Sequence, residues 1–147
     1  MERQMQGYNL VVVFSPDGEE MLMCRRIKQP YLGLLNFVGG KVEPNESGEA
    51  AAYRELWEET GITRADITLL HLMDFTYPLD PCYVEVWAGQ LKREVAVSGS
   101  ENPLLWSDLS HNFFDMSEYA GEGNIGHIME HVKLNADKIF LKKGTTL

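Results

Sequence analysis

Three glutamates stand close together in Arg54-Glu55-Leu56-Trp57-Glu58-Glu59-Thr60. At 3.6 residues per turn, positions i, i+3 and i+4 share one face of a helix, about 100° wide. Like charges so placed repel by a few tenths of a kcal/mol per pair, roughly, in an isolated helix. A solvated face is the ordinary reason for glutamates on a helix. A ridge of three carboxylates is also a donor set suited to a hard divalent ion. Such an ion takes oxygen ligands, keeps some of its waters and shares them with substrate phosphates. There is no Cys/His set beside the ridge to suggest zinc. Gly39-Gly40 precede it by a short loop, and glycine lets a backbone carbonyl or amide approach an ion or phosphate closely. Glu46 and Arg54 are placed to pair and fix that loop onto the helix.

The surrounding elements follow from pattern. Ser47–Thr60 reads as a helix, with Ser47 as N-cap and Gly61 just past its end. Its other side, Ala52, Tyr53, Leu56, Trp57 and Thr60, is expected to dock on a sheet. Tyr8–Phe14 is a β-branched run and reads as a buried strand. Ser15-Pro16-Asp17-Gly18 is a turn, and Met21–Arg26 returns as the second strand of a hairpin. Gln29–Leu35 reads as a loop, and Asn36-Phe37-Val38 as a short strand leading to the Gly39-Gly40 corner. Ile67–Tyr77 and Tyr83–Leu91 flank Pro78-Leu79-Asp80-Pro81 as a second hairpin. Gly99–Asp108 reads as a loop anchored by Trp106, and Ile125–Leu134 as a second helix. Strands and helices mix without strict alternation, which implies a mixed sheet with helices packed on it, an α+β arrangement.

The 147 residues suit one domain, read as 1–147, with one buried core. The net charge is −9, the wrong sign for gripping polymeric nucleic acid or an anionic membrane. A small polyphosphate remains open to an acidic protein if a cation lies between them. No apolar run is long enough to span a membrane, and the first residues lack the apolar core of a signal peptide. Two cysteines, Cys24 and Cys82, argue against a disulfide scaffold and agree with a cytoplasmic location.

The spacing across Gly40–Ile62 fits G-x5-E-x7-R-E-U-x-E-E-x-G-U, with U aliphatic, at every position. Seven positions require a single residue type. A random start matches with a chance on the order of one in a billion, at residue frequencies of about 7%. This is the Nudix box, and the chain resembles the Nudix hydrolases, which cleave nucleoside diphosphates linked to another moiety. The resemblance implies an α/β/α sandwich and a bound Mg²⁺, with Mn²⁺ able to substitute. It implies that Glu55, Glu58 and Glu59 hold the ion, joined by the carbonyl of Gly40. Arg54 then orients the glutamates, with Glu46 as its partner. The base is either a box glutamate, here Glu58, or a glutamate from a later loop, for which Glu101 is the candidate.

Asn36-Phe37-Val38-Gly39-Gly40-Lys41-Val42 resembles the stretch before the box in oxidised-purine nucleoside triphosphatases. There an asparagine at the Asn36 position bonds the base, a role that suits an amide because it both donates and accepts. By the same resemblance Arg26 contacts substrate, and Gly39 and Lys41 sit by the phosphates. Asn124 and Glu122 are further pocket candidates. The implied partner is a small nucleotide, with no polymeric nucleic acid and no membrane, bound by a monomer or homodimer. Pro78, sixteen residues past the box, favours ADP-ribose or a nucleotide sugar instead, although its turn also explains it. A non-catalytic ligand-binding module is a third reading, disfavoured by the complete glutamate set. His127-Ile-Met-Glu130-His131 matches a zinc-protease pattern but lacks a downstream glutamate. Trp57, Trp87, Trp106 and Cys24 are expected in the core.

Overall fold

The structure is a computed structural model that describes residues 5–141. Strands β1 (Gln6–Phe14), β2 (Glu20–Arg25) and β3 (Leu35–Asn36) precede helix α1 (Gly48–Thr60). Strands β4 (Leu70–Tyr77), β5 (Cys82–Gln90) and β6 (Leu104–Asp108) follow, then helices α2 (Asn124–Leu134) and α3 (Ala136–Ile139). The sheet runs β3-β2-β1-β5-β4, with β6 also paired to β2. β1 and β5 are parallel along their whole length, from Gln6↔Cys82 to Phe14↔Gln90. β1–β2, β2–β3, β2–β6 and β4–β5 are antiparallel.

β1 explains the mixed architecture. Val11, Val12, Val13 and Phe14 are all fully buried, because both faces of this central strand are covered. Successive side chains alternate between faces. Val12 and Phe14 join a core with Met21, Met23, Ile125, Ile128 and Val132 under α2. Val11 and Val13 join a second core with Leu22, Ala52, Leu56 and Trp87 under α1. The expected sandwich of helices about a mixed sheet is therefore present.

Both hairpins and both helices form where expected. Three expectations change. Leu104–Asp108 is strand rather than loop: it lies along β2, with Leu22 opposite Trp106. Only Leu35–Asn36 of the third strand is regular, and Val38 adds a single bridge to Val11. Trp57 does not dock on the sheet. The residue is 59% exposed, because the buried stripe of α1 is narrow and runs through Ala51, Ala52, Leu56 and Thr60. Trp87 and Cys24 are core residues, while Trp106 is half-buried and packs at the edge of the α1 core. No helix among the described residues is long and apolar enough to cross a membrane.

Candidate active site

α1 is fixed at both ends by local chemistry. The Ser47 hydroxyl accepts from the Ala50 amide at 3.1 Å, and Gly61 ends the helix at φ 82°, a left-handed conformation natural to glycine. Glu58 and Glu59 occupy the last turn, which holds no basic residue. Carboxylates there oppose the helix dipole, each by about 0.3–1 kcal/mol when exposed. A helix kept this way has a use for positive charge at that end.

Arg54 supplies part of it. Its Nε and a terminal nitrogen donate to both oxygens of Glu46, at 2.7 and 3.0 Å. The same terminal nitrogen reaches the Lys41 carbonyl at 2.9 Å. The other donates to Glu55 at 3.1 Å and to Glu58 at 3.3 Å. One guanidinium thus ties the loop before the helix to two glutamates of the ridge. It holds the Glu46 carboxyl below its usual range, and Glu46 in turn raises the affinity of Arg54 for its proton.

Two ridge residues, Glu55 and Glu59, pay for burial. Burial raises the Glu55 carboxyl above its usual range, against the pull of Arg54. Burial likewise raises Glu59, opposed by the Ser100 hydroxyl, which donates to it at 3.0 Å. Neighbouring glutamates push both further the same way. Gly40 lies directly against Glu55: a Cβ there would overlap its carboxylate. Oxygen donors, accumulated negative charge and a glycine cradle together fit a hard divalent cation.

A cavity of about 550 Å³ opens beside the ridge. Glu59, Gly39, Gly40, Arg26, Asn36 and Glu101 all line it. Asn36 is half-buried, and its side-chain oxygen accepts from the Phe37 amide at 2.9 Å. Glu101 stands at the rim, mostly exposed, with its carboxylate 2.8 Å from Lys28. That ion pair lowers its pKa. Lys41 contributes its carbonyl to Arg54, while its side chain points to solvent and is not part of the lining.

The far wall holds residues that sequence reasoning missed. Tyr31 and Tyr77 both line it. The Tyr31 hydroxyl donates to the carboxylate of Glu122 at 2.7 Å, and burial with this acidic neighbour pushes its pKa up to about 12. Asn124 donates to the Tyr77 hydroxyl at 2.6 Å. Asn9 and Ser100 were also missed. The pattern of β1 gave no sign of Asn9, whereas Ser100 stands beside the flagged Glu101.

Other candidate groups have simpler accounts. His127 and His131 sit on α2 with rings 4.8 Å apart, and Glu130 pairs with Lys133. Among the described residues, His71, Asp74 and Glu85 also bring three ligand atoms within 4.8 Å of one another. None of them lines the cavity. His71 and Asp74 pair with each other at 2.6 Å, and the Glu85 carboxylate backs onto Gly48 in the first turn of α1, where negative charge is favourable. A second cavity, of about 330 Å³, lies under α2 and α3 and is lined by none of the ridge residues.

The NUDIX domain profile matches residues 6–130. The chain belongs to the Nudix family. Its members include the 8-oxo-dGTP diphosphatase of Escherichia coli, 27% identical over 128 residues, 86% of this chain and 82% of that protein. The CTP pyrophosphohydrolase of the same organism is 43% identical over only 53 residues, 36% of this chain and 39% of that protein. A solved Ap4A hydrolase from C. elegans shares the fold, with a TM-score of 0.71 at 21% identity, over 90% of this chain and 98% of that one. This Nudix protein is thus an enzyme acting on phosphoanhydride bonds in nucleoside diphosphate derivatives. Nudix hydrolases use a divalent metal, and the donor set described above suits one.

Proposed function

We propose that this Nudix enzyme hydrolyses a purine nucleoside triphosphate, oxidised or not, to the monophosphate and pyrophosphate. The observation that carries this reading is one cavity lined by both Asn36 and Glu59, the one ridge glutamate that reaches it. Because the Asn36 oxygen is engaged by Phe37, its amide nitrogen is left to donate into the cavity. A donor there suits a base edge that presents an acceptor, such as the O6 that guanine and 8-oxoguanine share. The E. coli relative named for 8-oxo-dGTP supports the same substrate class.

Glu55, Glu58, Glu59 and the Gly40 carbonyl are the residues that would hold Mg²⁺, with Mn²⁺ as a substitute. When bound, such an ion neutralises phosphate charge and lowers the pKa of an attacking water. Arg54 keeps Glu55 and Glu58 aimed together through its paired hydrogen bonds. Glu58 is the more exposed of the two, with half of its side chain open, and is the proposed base. It takes the proton of the water as the water oxygen bonds phosphorus and the bridging P–O bond breaks. Glu101 at the rim is the alternative base, and would first have to leave Lys28. Arg26 and Gly39 line the cavity and are the proposed contacts to the phosphates, while Lys41 lies outside that lining.

Phosphorus NMR on a substrate panel with Mg²⁺, in ordinary and oxygen-18-labelled water, tests this. The panel holds dGTP, 8-oxo-dGTP, CTP, ADP-ribose, a nucleotide sugar and a dinucleoside polyphosphate. Pyrophosphate should appear fastest from 8-oxo-dGTP. Faster cleavage of ADP-ribose into two phosphomonoesters would overturn the substrate assignment and make Pro78 the better guide.

A further inference from the structure

Asn9 is the residue least explained by the fold. It lies on the α1-facing side of β1, in line with Val11 and Val13, yet it is polar and only 2% exposed. Its main chain and side chain both grip one glycine. The Asn9 amide donates to the Gly40 carbonyl at 2.8 Å, and the Gly40 amide donates to the Asn9 side-chain oxygen at 3.1 Å. That reciprocal pair accounts for the oxygen. It leaves the side-chain nitrogen, Nδ2, which is fully buried and has no hydrogen-bond partner. A buried donor left unpaired is costly, and native structures keep few of them. Among the described residues it is the one such atom.

The place of this orphan is informative. Gly40 touches both Asn9 and the Glu55 carboxylate, which a Cβ on that glycine would strike. Glu55 has one oxygen on Arg54, and burial holds its carboxyl above the usual range. The carboxylate is thus poorly solvated, with Arg54 bonding it from one side, and it shares a glycine with a spare amide donor. An isosteric Leu would fill the same space in β1 without a spare donor, but would leave the Gly40 amide unpaired. An aspartate would keep the hold on Gly40 and lose the donor.

We infer that Asn9 is a positioning residue of the site, whose Nδ2 donates to the Glu55 carboxylate when the ridge takes up its divalent cation. Its two halves then act on two neighbouring oxygens. The Oδ1 fixes the Gly39-Gly40 corner and with it the Gly40 carbonyl. The Nδ2 fixes the carboxylate that faces the same glycine. Carboxylates that bind metal are themselves hydrogen-bonded, and losing such an outer partner costs about 10–100-fold in metal affinity. The inference rests on the reading of the ridge as a cation site.

The test uses the whole chain and two readouts that do not involve turnover. In the first, the Asn9 side-chain NH₂ pair is identified in the nitrogen-15 NMR spectrum by its loss in Asn9→Asp. That pair should shift progressively as Mg²⁺ is added. In the second, Mn²⁺ affinity is measured by electron paramagnetic resonance of the free ion. Asn9→Asp should bind Mn²⁺ about tenfold or more weakly than wild type, even though its extra negative charge would by itself favour the ion. Asn9→Leu should lose at least as much, since it releases Gly40 too. An Asn9 pair unmoved by Mg²⁺, or an Asn9→Asp protein that binds Mn²⁺ as well as wild type, overturns the role of Asn9. Failure of the wild type to bind Mn²⁺ overturns the cation reading itself, and this inference with it.

Discussion

The two longer helices lie on opposite sides of one sheet and are held there in different ways. α2 is held by area: Ile125, Ile128, Met129 and Val132 are buried along its inner face. Burying an aliphatic side chain of this size contributes about 1.5–3 kcal/mol. α1 buries mainly small groups, Ala51, Ala52 and Thr60, with Leu56 as its one large anchor. It is held instead by directional bonds, at Ser47, at Gly61 and through Arg54. α2 also carries His131 and Lys133 in its last turn, where α1 carries Glu58 and Glu59. One helix therefore follows the rules of stability, and the other departs from them where its carboxylates stand. The lesson is that stability and catalysis should be separable by side of the sheet.

The sharpest break would come from α2. Ile128→Ala should cost about 2–5 kcal/mol in denaturant unfolding and leave kcat of the folded enzyme nearly unchanged. A large fall in kcat with no loss of stability would erase the distinction. On α1 the reverse holds. Glu58→Gln should lower turnover at least about 100-fold through loss of a charged group at the reacting centre, with the unfolding midpoint nearly constant. An unchanged rate would sink the assignment of Glu58. Ser47→Ala removes the cap of α1 and should cost about 1 kcal/mol, read by thermal unfolding. Activity should then fall only to the extent that the first turn frays and Glu46 loosens from Arg54.

The smallest effect is the most diagnostic. Burial raises the Glu55 and Glu59 carboxyls in the folded, cation-free protein above their ordinary 4.5. The folded state therefore binds those protons more tightly than the unfolded state. Their contribution is fully present below 4.5 and is lost as pH rises through the raised values. Glu46 works the other way. Its lowered carboxyl contributes above 4.5, and that contribution is lost as pH falls through its folded value. Without a divalent ion, Tm should rise modestly as pH falls from 7 toward about 5, then drop below about 4.5. Glu59→Gln should raise Tm at pH 7 and flatten the acid rise, while turnover falls. A Tm that decreases steadily from pH 7 downward would contradict this account of the ridge.

What the sequence disclosed was what depends on near neighbours. The span of α1, both of its caps and the Arg54–Glu46 pair rest on spacings of a few residues. Hairpins joined by Ser15–Gly18 and by Pro78–Pro81 are equally local. The β1–β5 pairing was not legible, because each residue of β1 meets one 76 positions further on. Nor was β6, whose approach through Gly99, Ser100 and Pro103 reads as loop and whose burial shows no clean alternation. Trp57 misled because aromatic residues on helices usually dock, and here the buried stripe is confined to Ala51, Ala52, Leu56 and Thr60. Asn9 stayed hidden inside an apolar strand pattern, since only the third dimension places Gly40 beside it.

The parallel pairing of β1 with β5 also sets a timetable for the newborn chain. β1 leaves the ribosome well before its longest partner, which is complete only at Gln90. At roughly 5–20 residues per second, that is a wait on the order of several seconds. Throughout it, the β5 edge of a valine-rich strand stays unpaired, although β2 and α1 are made before β5. Such a delay exposes an edge and an apolar run to wrong partners, so yield in a cell should depend on how fast residues 15–90 are translated.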